Sequence, residues 1–172
     1  MKTGVEIANS KIITNFLEEN IQQVGIDLRV KDIYQMQPHF HIDIDGYRTC
    51  YCAGNIPKEG KTQIFLNKET VFENGVCMLN PGYYEIEFEE GCKLNKNTAL
   101  DLKTRSSLVR CGATIFNGMF DPGFETENIG CFLEVRFPII IEKGSRLAQA
   151  IVYNCSDVDN IYNGQWQYDN QR

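Results

Sequence analysis

Short stretches in which apolar and polar residues alternate recur along this chain, and a period of two residues is typical of half-buried β-strands. They are GIDLRV (25–30), HFHIDI (39–44), YRTCYC (47–52), TQIFL (62–66) and YYEIEFE (83–89). Asp45-Gly46 predicts a two-residue hairpin turn. Further turns are predicted at Asn80-Pro81-Gly82, Glu90-Gly91 and Lys143-Gly144. Strands at this spacing, without alternating helices, predict an all-β barrel or sandwich.

Residues 5–19 are the exception, because their pattern favours a helix. Ser10 is a candidate N-cap, and an apolar face would comprise Ile12, Ile13, Phe16 and Leu17. We therefore predict a mainly β fold with a short N-terminal helix, and one domain over residues 1–172.

Composition and net charge limit the classes of function that this protein can have. The net charge of −6 is spread along 172 residues, which argues against a nucleic-acid groove and means that a phosphorylated substrate needs local cations. No apolar run approaches a membrane span in length, and no secretory signal follows Met1. Seven cysteines without a disulfide-like spacing favour reduced thiols and a cytoplasmic protein.

Five short segments, taken together and in their order along the chain, indicate a protein family. They are QVGIDLRV (23–30), LKTRSSLVRCG (102–112), GMFDPGF (118–124), KGSRLAQAIV (143–152) and YNGQWQ (162–167). Together they resemble the superfamily of trimeric dUTPases and dCTP deaminases, from about residue 20 to residue 168. The resemblance implies a distorted, jelly-roll-like β-barrel, a homotrimer, and active sites that lie between subunits.

The segment TRSSLVR offers two guanidiniums and two hydroxyls, which suit phosphate oxygens. They belong to Arg105, Ser106, Ser107 and Arg110. By resemblance, Ser106 and Arg110 contact phosphate, whereas Arg105 contacts phosphate or the subunit interface.

Two further polar residues have a functional and a structural interpretation. By resemblance, the amide of Gln149 meets phosphate, and Asp27 helps to organise metal and phosphate indirectly. Alternatively, Gln149 is hydrogen-bonded inside the barrel and Asp27 caps a turn.

The same resemblance assigns residues that recognise the base and residues that cover the bound nucleotide. The hairpin at Asn117 and Gly118 discriminates the base through its backbone groups. Tyr162, Gln165 and Gln167 resemble the deaminase branch's C-terminal Y-x-G-K-Y-Q segment, so residues 160–172 are expected to close over the nucleotide. The glycine-rich tail of dUTPases, with its arginine, is absent.

Asp121 is the predicted catalytic residue, because the family places an aspartate here against the sugar 3′-hydroxyl or the attacking water. Deaminases of the family also need a glutamate about ten residues later as a proton shuttle. At that spacing stands Cys131, and Glu134 lies three residues further on. An ungapped alignment needs fewer assumptions, so we favour Cys131 in that position. A thiol is a poor proton shuttle, which disfavours deamination.

The sequence therefore predicts a dUTP diphosphatase that converts dUTP to dUMP and pyrophosphate, without nucleic-acid or membrane partners. Mg²⁺ would be held by substrate phosphates and water, with no direct protein ligand and Asp27 acting indirectly. The alternative enzyme is a dCTP deaminase that forms dUTP, or a bifunctional one that forms dUMP. A third hypothesis is a catalytically silent nucleotide-binding or regulatory protein.

A zinc site at the first hairpin is conceivable but disfavoured. A two-residue turn at Asp45-Gly46 would place four candidate ligands on one face of the hairpin, namely His39, His41, Cys50 and Cys52. Their flat arrangement does not favour a tetrahedral ion.

Overall fold

The elements of the fold come from a computed structural model that describes residues 1–35, 39–42, 48–51 and 70–163, the second and third of these by their backbone alone. Two short helices are α1 (Gly4–Ser10) and α2 (Ser106–Arg110), and Glu18–Asn20 forms a 3-10 turn. Strands in the described ranges are β1 (Ile13–Thr14), β2 (Ile26–Gln35), β3 (His39–Ile42), β4 (Arg48–Tyr51), β5 (Val76–Leu79), β6 (Gly82–Phe88), β7 (Gly91–Lys93), β8 (Thr98–Thr104), β9 (Ala113–Phe116), β10 (Glu125–Thr126), β11 (Gly130–Val135), β12 (Ile139–Glu142) and β13 (Arg146–Asn154). The predicted mainly β class with a short N-terminal helix is confirmed.

The largest sheet in the described residues is antiparallel and has six strands, in the order β8-β13-β2-β6-β11-β9. Its two edge strands approach each other, because the hydroxyls of Thr104 on β8 and Thr114 on β9 lie 3.1 Å apart. The backbone N–H of Ile115 also donates to the Thr104 hydroxyl at 3.1 Å. The sheet is thus a nearly closed barrel. Smaller sheets pair β1-β7-β10, β12-β5 and β3-β4.

The barrel interior is filled by every second residue of the long strands, as the alternating sequence pattern predicts. On β6, Tyr84, Ile86 and Phe88 point inward, and the glutamates between them are only half-buried. The largest fully buried side chains are Phe88, Ile7, Ile12, Ile13, Ile26, Leu28, Ile33, Leu79, Ile86, Leu100, Ile129 and Leu133. Neither helix of the described ranges is long and apolar enough to cross a membrane.

The prediction of a helix over residues 5–19 is wrong in its extent. Helix α1 begins after Thr3, which forms a capping box with Glu6, and it ends at Lys11, whose φ of 56° is left-handed. Ser10 is not an N-cap, since its hydroxyl donates to the Ile7 carbonyl in the last turn. Beyond Lys11 the chain turns into β1, where Ile13 pairs with Cys92. Ile12 and Ile13 are buried in the core, and this tertiary packing prevails over the helical spacing of the sequence.

The hairpin of β3 and β4 has a different register from the one predicted. Ile42 pairs with Arg48, His41 with Thr49 and Phe40 with Cys50. The pairing is one residue out of step with a two-residue turn at Asp45-Gly46, so Cys50 is opposite Phe40 instead of His41. A shift of one residue exchanges the faces of a strand, so the predicted register that would place all four candidate ligands on one face is wrong. Cys52 lies outside the described residues.

A buried ion pair joins β2 to the start of β7. The Glu90 side chain is fully buried, and its carboxylate accepts from the Arg29 Nε at 2.7 Å and from the Arg29 backbone N–H at 2.8 Å. The same guanidinium donates to the Asn15 carbonyl. Burial raises the pKa of the Glu90 carboxyl, whereas the hydrogen bonds from Arg29 act to lower it. The charge on Glu90 therefore depends on Arg29.

We predict that Arg29→Met destabilises the protein by about 3–5 kcal/mol at neutral pH, because it leaves a buried carboxylate without its partner. In this variant the folded-state pKa of Glu90 lies further above its unfolded value. Stability is then recovered as the pH falls towards the unfolded pKa, by at most about 1.4 kcal/mol per pH unit. Urea unfolding of wild type and variant at several pH values measures this difference.

Lys96→Met is the matched control, because Lys96 pairs with Asp157 on the exposed surface. Its effect should stay within about 1 kcal/mol. An Arg29→Met penalty that is equally small, or that does not shrink on acidification, would contradict the role given to this ion pair.

Candidate functional site

The carboxylate of Asp27 lies on β2 and is only 2% exposed. Its Oδ2 is 3.1 Å from Arg105 Nε and 3.5 Å from Arg146 Nη1. Burial raises the pKa of Asp27, and the two guanidiniums act to lower it. The two arginines also contact each other, because the Arg105 side chain donates a hydrogen bond to the Arg146 carbonyl at 3.0 Å. Asp27 thus positions two cations while remaining out of contact with solvent.

Helix α2 presents the predicted phosphate residues. Arg105 precedes its first turn, and the buried Leu108 anchors it to the core. The side chains of Ser106, Ser107 and Arg110 are exposed. Ser106 and Arg110 are four residues apart, so they share one face of the helix. The structure therefore presents two hydroxyls and a guanidinium to solvent next to the Asp27 cluster.

A row of polar residues crosses three neighbouring strands. On β13, Gln149 pairs with Asp27 of β2 on one side and with Lys103 of β8 on the other. Residues directly opposite each other in an antiparallel sheet share a face. Gln149 is half-buried and Lys103 is exposed. Gln149 is thus beside the arginine cluster, where the sequence predicted a phosphate contact.

Asp101 joins this row to the predicted base-binding hairpin. Its Oδ2 is 2.5 Å from Lys103 Nζ, and its Oδ1 accepts from Asn117 Nδ2 at 3.0 Å. Burial would raise the pKa of Asp101, but the hydrogen bonds from Lys103 and Asn117 prevail and lower it. Sequence analysis did not single out Asp101 or Lys103. The sequence feature that could have identified them is the alternation of apolar and polar residues in ALDLKT (99–104), which directs both polar side chains away from the core.

Asp121 is exposed at the start of a turn. Its carbonyl accepts from the Phe124 N–H at 3.1 Å, and Gly123 has a φ of +87°. Proline at the second position and glycine at the third are the residues that a type II turn requires. The preceding Phe120 pairs its backbone with Leu100 of β8. Asp121 is therefore fixed beside the strand that carries Asp101 and Lys103. Gly118 is exposed within the same connection.

The described part of the C-terminal segment lies against this turn. The Tyr162 N–H donates to the Pro122 carbonyl at 2.8 Å. The rings of Tyr162 and Phe124 meet edge to face, with centroids 5.3 Å apart. Gln165 and Gln167 lie outside the described residues, so their predicted contacts stay predictions.

The predicted site residues of the chain form two groups. Helix α2 precedes β9, and the connection from Asn117 to Asp121 follows it. A four-residue strand spans roughly 13 Å, so the helix and the connection lie at opposite ends of β9. Strand β8 runs alongside and joins them, from Arg105 at one end to Leu100 beside Phe120 at the other.

Cys131 and Glu134 point to opposite faces of β11. Cys131 is buried in the core with Leu133 and Val135, and burial raises the pKa of its thiol. Glu134 is half-buried, pairs across the sheet with Thr114 and Tyr83, and lies 3.4 Å from Arg136. Cys131 is only 5% exposed, so its thiol lies within the core. The assignment of Cys131 to the deaminase glutamate position stays a prediction from sequence spacing.

Asp27 is the residue for which a role near a metal was predicted. Its carboxylate is buried and neutralised by two guanidiniums, so it is not available as a direct ligand. Within the described ranges no three His, Cys, Asp or Glu side chains are grouped to hold a metal ion.

We predict that Gly123→Ala displaces the C-terminal segment from the Asp121 turn. A Cβ at Gly123 would lie 2.6 Å from the Ile161 Cβ and 3.2 Å from the Tyr162 backbone nitrogen. Chymotrypsin should then cleave after Tyr162 several-fold faster than in wild type, as measured by mass spectrometry of timed digests.

Gly75→Ala is the matched control, because Gly75 also has a left-handed φ, of +80°, but a Cβ added there would meet no neighbouring atom within 4 Å. Both variants should lose about 1–2 kcal/mol from left-handed backbone strain. Equal cleavage rates in the two variants would show that the segment is not held by this contact.

Comparison with known proteins identifies relatives of this chain. The sequence profile of the dCTP deaminase-like family matches residues 5–155. A deoxyuridine 5′-triphosphate nucleotidohydrolase of Methanocaldococcus jannaschii is 34% identical over 150 residues, 87% of this chain and 88% of that protein. A probable deoxyuridine 5′-triphosphate nucleotidohydrolase of Methanococcoides burtonii is 27% identical over 169 residues, 95% of this chain and 92% of that protein.

A solved structure shares the fold. The crystal structure of 2′-deoxycytidine 5′-triphosphate deaminase from Agrobacterium tumefaciens superimposes with a TM-score of 0.60 at 17% identity. The match covers 88% of this chain and 46% of that one, so the chain spans about half the length of that deaminase. Because the family profile covers most of the sequence, the chain belongs to the dCTP deaminase-like family.

Proposed function

We propose that this protein is a dUTP diphosphatase, which hydrolyses dUTP to dUMP and pyrophosphate. The observation that carries the proposal is the cluster of Asp27, Arg105 and Arg146 beside helix α2, which presents Ser106, Ser107 and Arg110 to solvent. The names of the archaeal relatives support the same substrate.

In the proposed reaction, water attacks the α-phosphorus, the bond from that phosphorus to the bridging oxygen breaks, and pyrophosphate leaves. Asp121 accepts the proton of the attacking water, a role that suits an exposed carboxylate on a rigid turn. Arg110, Ser106 and Gln149 bind phosphate oxygens and hold the chain of phosphates in line. Asp27 acts through Arg105, whose guanidinium it orients.

Mg²⁺ is the proposed cofactor. Substrate phosphates and water would hold the ion, because the buried Asp27 is already paired with two guanidiniums. When bound, the ion offsets phosphate charge during hydrolysis.

A homotrimer is the proposed assembly. The outer face of β6, β11 and β9 exposes Tyr83, Phe132 and Phe116. Phe132 is directly opposite Phe116, and Tyr83 lies diagonally from Phe132 because it is opposite Glu134. Contiguous exposed apolar residues favour a protein interface. A second copy on this face would bring Glu134 to the subunit boundary. We also propose that residues 160–172 close over bound nucleotide, continuing the contact of Tyr162 with the Asp121 turn.

A cytoplasmic location is proposed on the state of the thiols. The described cysteines are free, namely Cys77, Cys92, Cys111, Cys131 and Cys155. Free thiols are typical of reducing compartments.

We expect Asp121→Ala to lower kcat for dUTP by roughly 10²–10⁴-fold, because the general base is lost, without changing the unfolding midpoint. Wild type and variant would be incubated with Mg²⁺ and each of the deoxynucleoside triphosphates, and the products separated by chromatography. Glu142→Ala removes an exposed carboxylate on β12 and should leave turnover unchanged. Full dUTP turnover in Asp121→Ala would overturn this assignment. Binding of nucleotide without turnover by wild type would instead support a silent, regulatory protein.

The second candidate function is a dCTP deaminase, alone or coupled to hydrolysis. It is favoured by Glu134, which lies on the outer face of β11, where a carboxylate is accessible to a ligand bound at the proposed subunit boundary.

A deaminase would release one ammonia for each dCTP, as water replaces the C4 amino group. With dUTPase as the proposed activity, we expect no ammonia from wild type and unchanged dUTP turnover in Glu134→Gln. Ammonia release that Glu134→Gln abolishes would reverse the ranking of the two enzymes.

A further inference from the structure

A pocket adjoins the Asp27 cluster, between the 3-10 turn, strand β2 and the turn that leads into β13. Its volume is about 560 Å³, many times the roughly 30 Å³ that one water molecule occupies in the liquid. A polyatomic ligand therefore fits. The residues that line the pocket are Leu17, Glu19, Asn20, Arg29, Gly144 and Arg146.

Asn20 is the buried polar residue of this pocket. It is only 2% exposed, and its amide Nδ2 has no hydrogen-bond partner among the described residues. Buried polar groups in folded proteins are nearly always hydrogen-bonded, and each exception needs an explanation. The amide nitrogen can only donate, so the missing partner is an acceptor. Because Asn20 lines the pocket, a ligand there can supply that acceptor after a small rotation of the amide.

Two guanidiniums provide further donors on one face of the sheet. Arg29 and Arg146 are directly opposite each other in the register of β2 and β13, and opposite residues of an antiparallel pair share a face. Arg29 uses Nε for Glu90 and Nη2 for the Asn15 carbonyl. Arg146 uses Nη1 for Asp27. A guanidinium carries five N–H donors, so both arginines retain N–H groups for a ligand.

The buried ion pairs around the pocket leave one positive charge in excess. Asp27 is shared by Arg105 and Arg146. Glu90 is paired with Arg29. Three guanidiniums thus face two buried carboxylates, and an anion in the pocket would neutralise the remaining charge.

Glu19 is the acidic residue of the lining, and it does not cancel this preference for an anion. Its side chain is exposed, so water and salt screen its charge. Guanidinium forks match phosphate oxygens in charge and geometry. Donors from two arginines and one amide therefore suit a phosphate-type oxyanion.

We propose that this pocket binds a phosphate-type oxyanion, inorganic phosphate or pyrophosphate, through Arg29, Arg146 and Asn20. The site adjoins the Asp27 cluster through Arg146, but it includes none of the residues to which we assign phosphate binding or water activation in dUTP hydrolysis. The same chemistry has two sources, a free anion and the terminal phosphate of a nucleotide bound at helix α2. We assign the pocket to the free anion, since its donors are separate from those assigned to the nucleotide.

Removing the donors one at a time tests the site. Arg146→Met leaves Asp27 paired with Arg105 and should weaken binding of inorganic phosphate by about tenfold, or about 1.4 kcal/mol. Asn20→Leu should weaken it by about threefold. The same variant should not lower the unfolding midpoint in phosphate-free buffer, because the Asn20 amide nitrogen has no hydrogen bond to lose among the described residues.

Arg136→Met is the matched control, because it also removes an exposed guanidinium that is paired with a carboxylate, that of Glu134. It should leave the affinity for phosphate unchanged. Isothermal titration calorimetry with inorganic phosphate measures each affinity. The titration is made with the protein alone and again with the protein saturated with the non-hydrolysable α,β-imido analogue of dUTP. Thermal unfolding of each variant verifies that the fold is intact.

The outcomes separate this site from the proposed function. Phosphate binding that persists with the analogue bound, and that is weakened in both Arg146→Met and Asn20→Leu, supports the site whether or not dUTP is hydrolysed. A wild type that binds no phosphate, or equal binding by Arg146→Met, would refute it. Loss of phosphate binding once the analogue is bound would place the nucleotide's own phosphate in the pocket and overturn the free anion. A lower unfolding midpoint of Asn20→Leu with unchanged phosphate affinity would show that Asn20 has a structural role instead.

Discussion

The buried carboxylate of Asp27 is the interaction on which the geometry of the site depends. A charged group that is removed from water must be paired, since its desolvation is otherwise costly. Here the partners are Arg105, which begins helix α2, and Arg146, which begins β13. One carboxylate therefore fixes the position of helix α2, the predicted phosphate-side helix, relative to two central strands.

The Asp27 cluster lies on a sheet that is nearly closed. Thr104 links the two edge strands, and the outer face of β8 remains open to solvent as far as Asp101. The predicted phosphate-side residues (105–110) and base-side residues (117–121) are close in sequence but lie at opposite ends of β9. They become one surface because β8 runs beside both. The site is thus a property of strand order, and the individual motifs contribute only its ends.

The predictions that succeeded rest on local patterns. Alternation predicted β2 and β6, and Lys143-Gly144 predicted the turn that precedes β13. The helix over residues 5–19 failed because its isoleucines bury in strand β1 and the adjoining turn. Spacing also says nothing about which way a residue points once an insertion or bulge intervenes. Cys131 was therefore a candidate for the site by spacing, although its thiol faces the core.

The sequence by itself determined the strand-rich fold class, the family resemblance and the residues of the individual motifs. These depend on side-chain period and turn chemistry, which act over a few residues. Only the tertiary structure decided that Asp27 is held by two guanidiniums, that Gln149 lies between Asp27 and Lys103, and that Asp101 bonds Asn117. Such neighbours are set by sheet order and register, and these follow from packing the whole core at once.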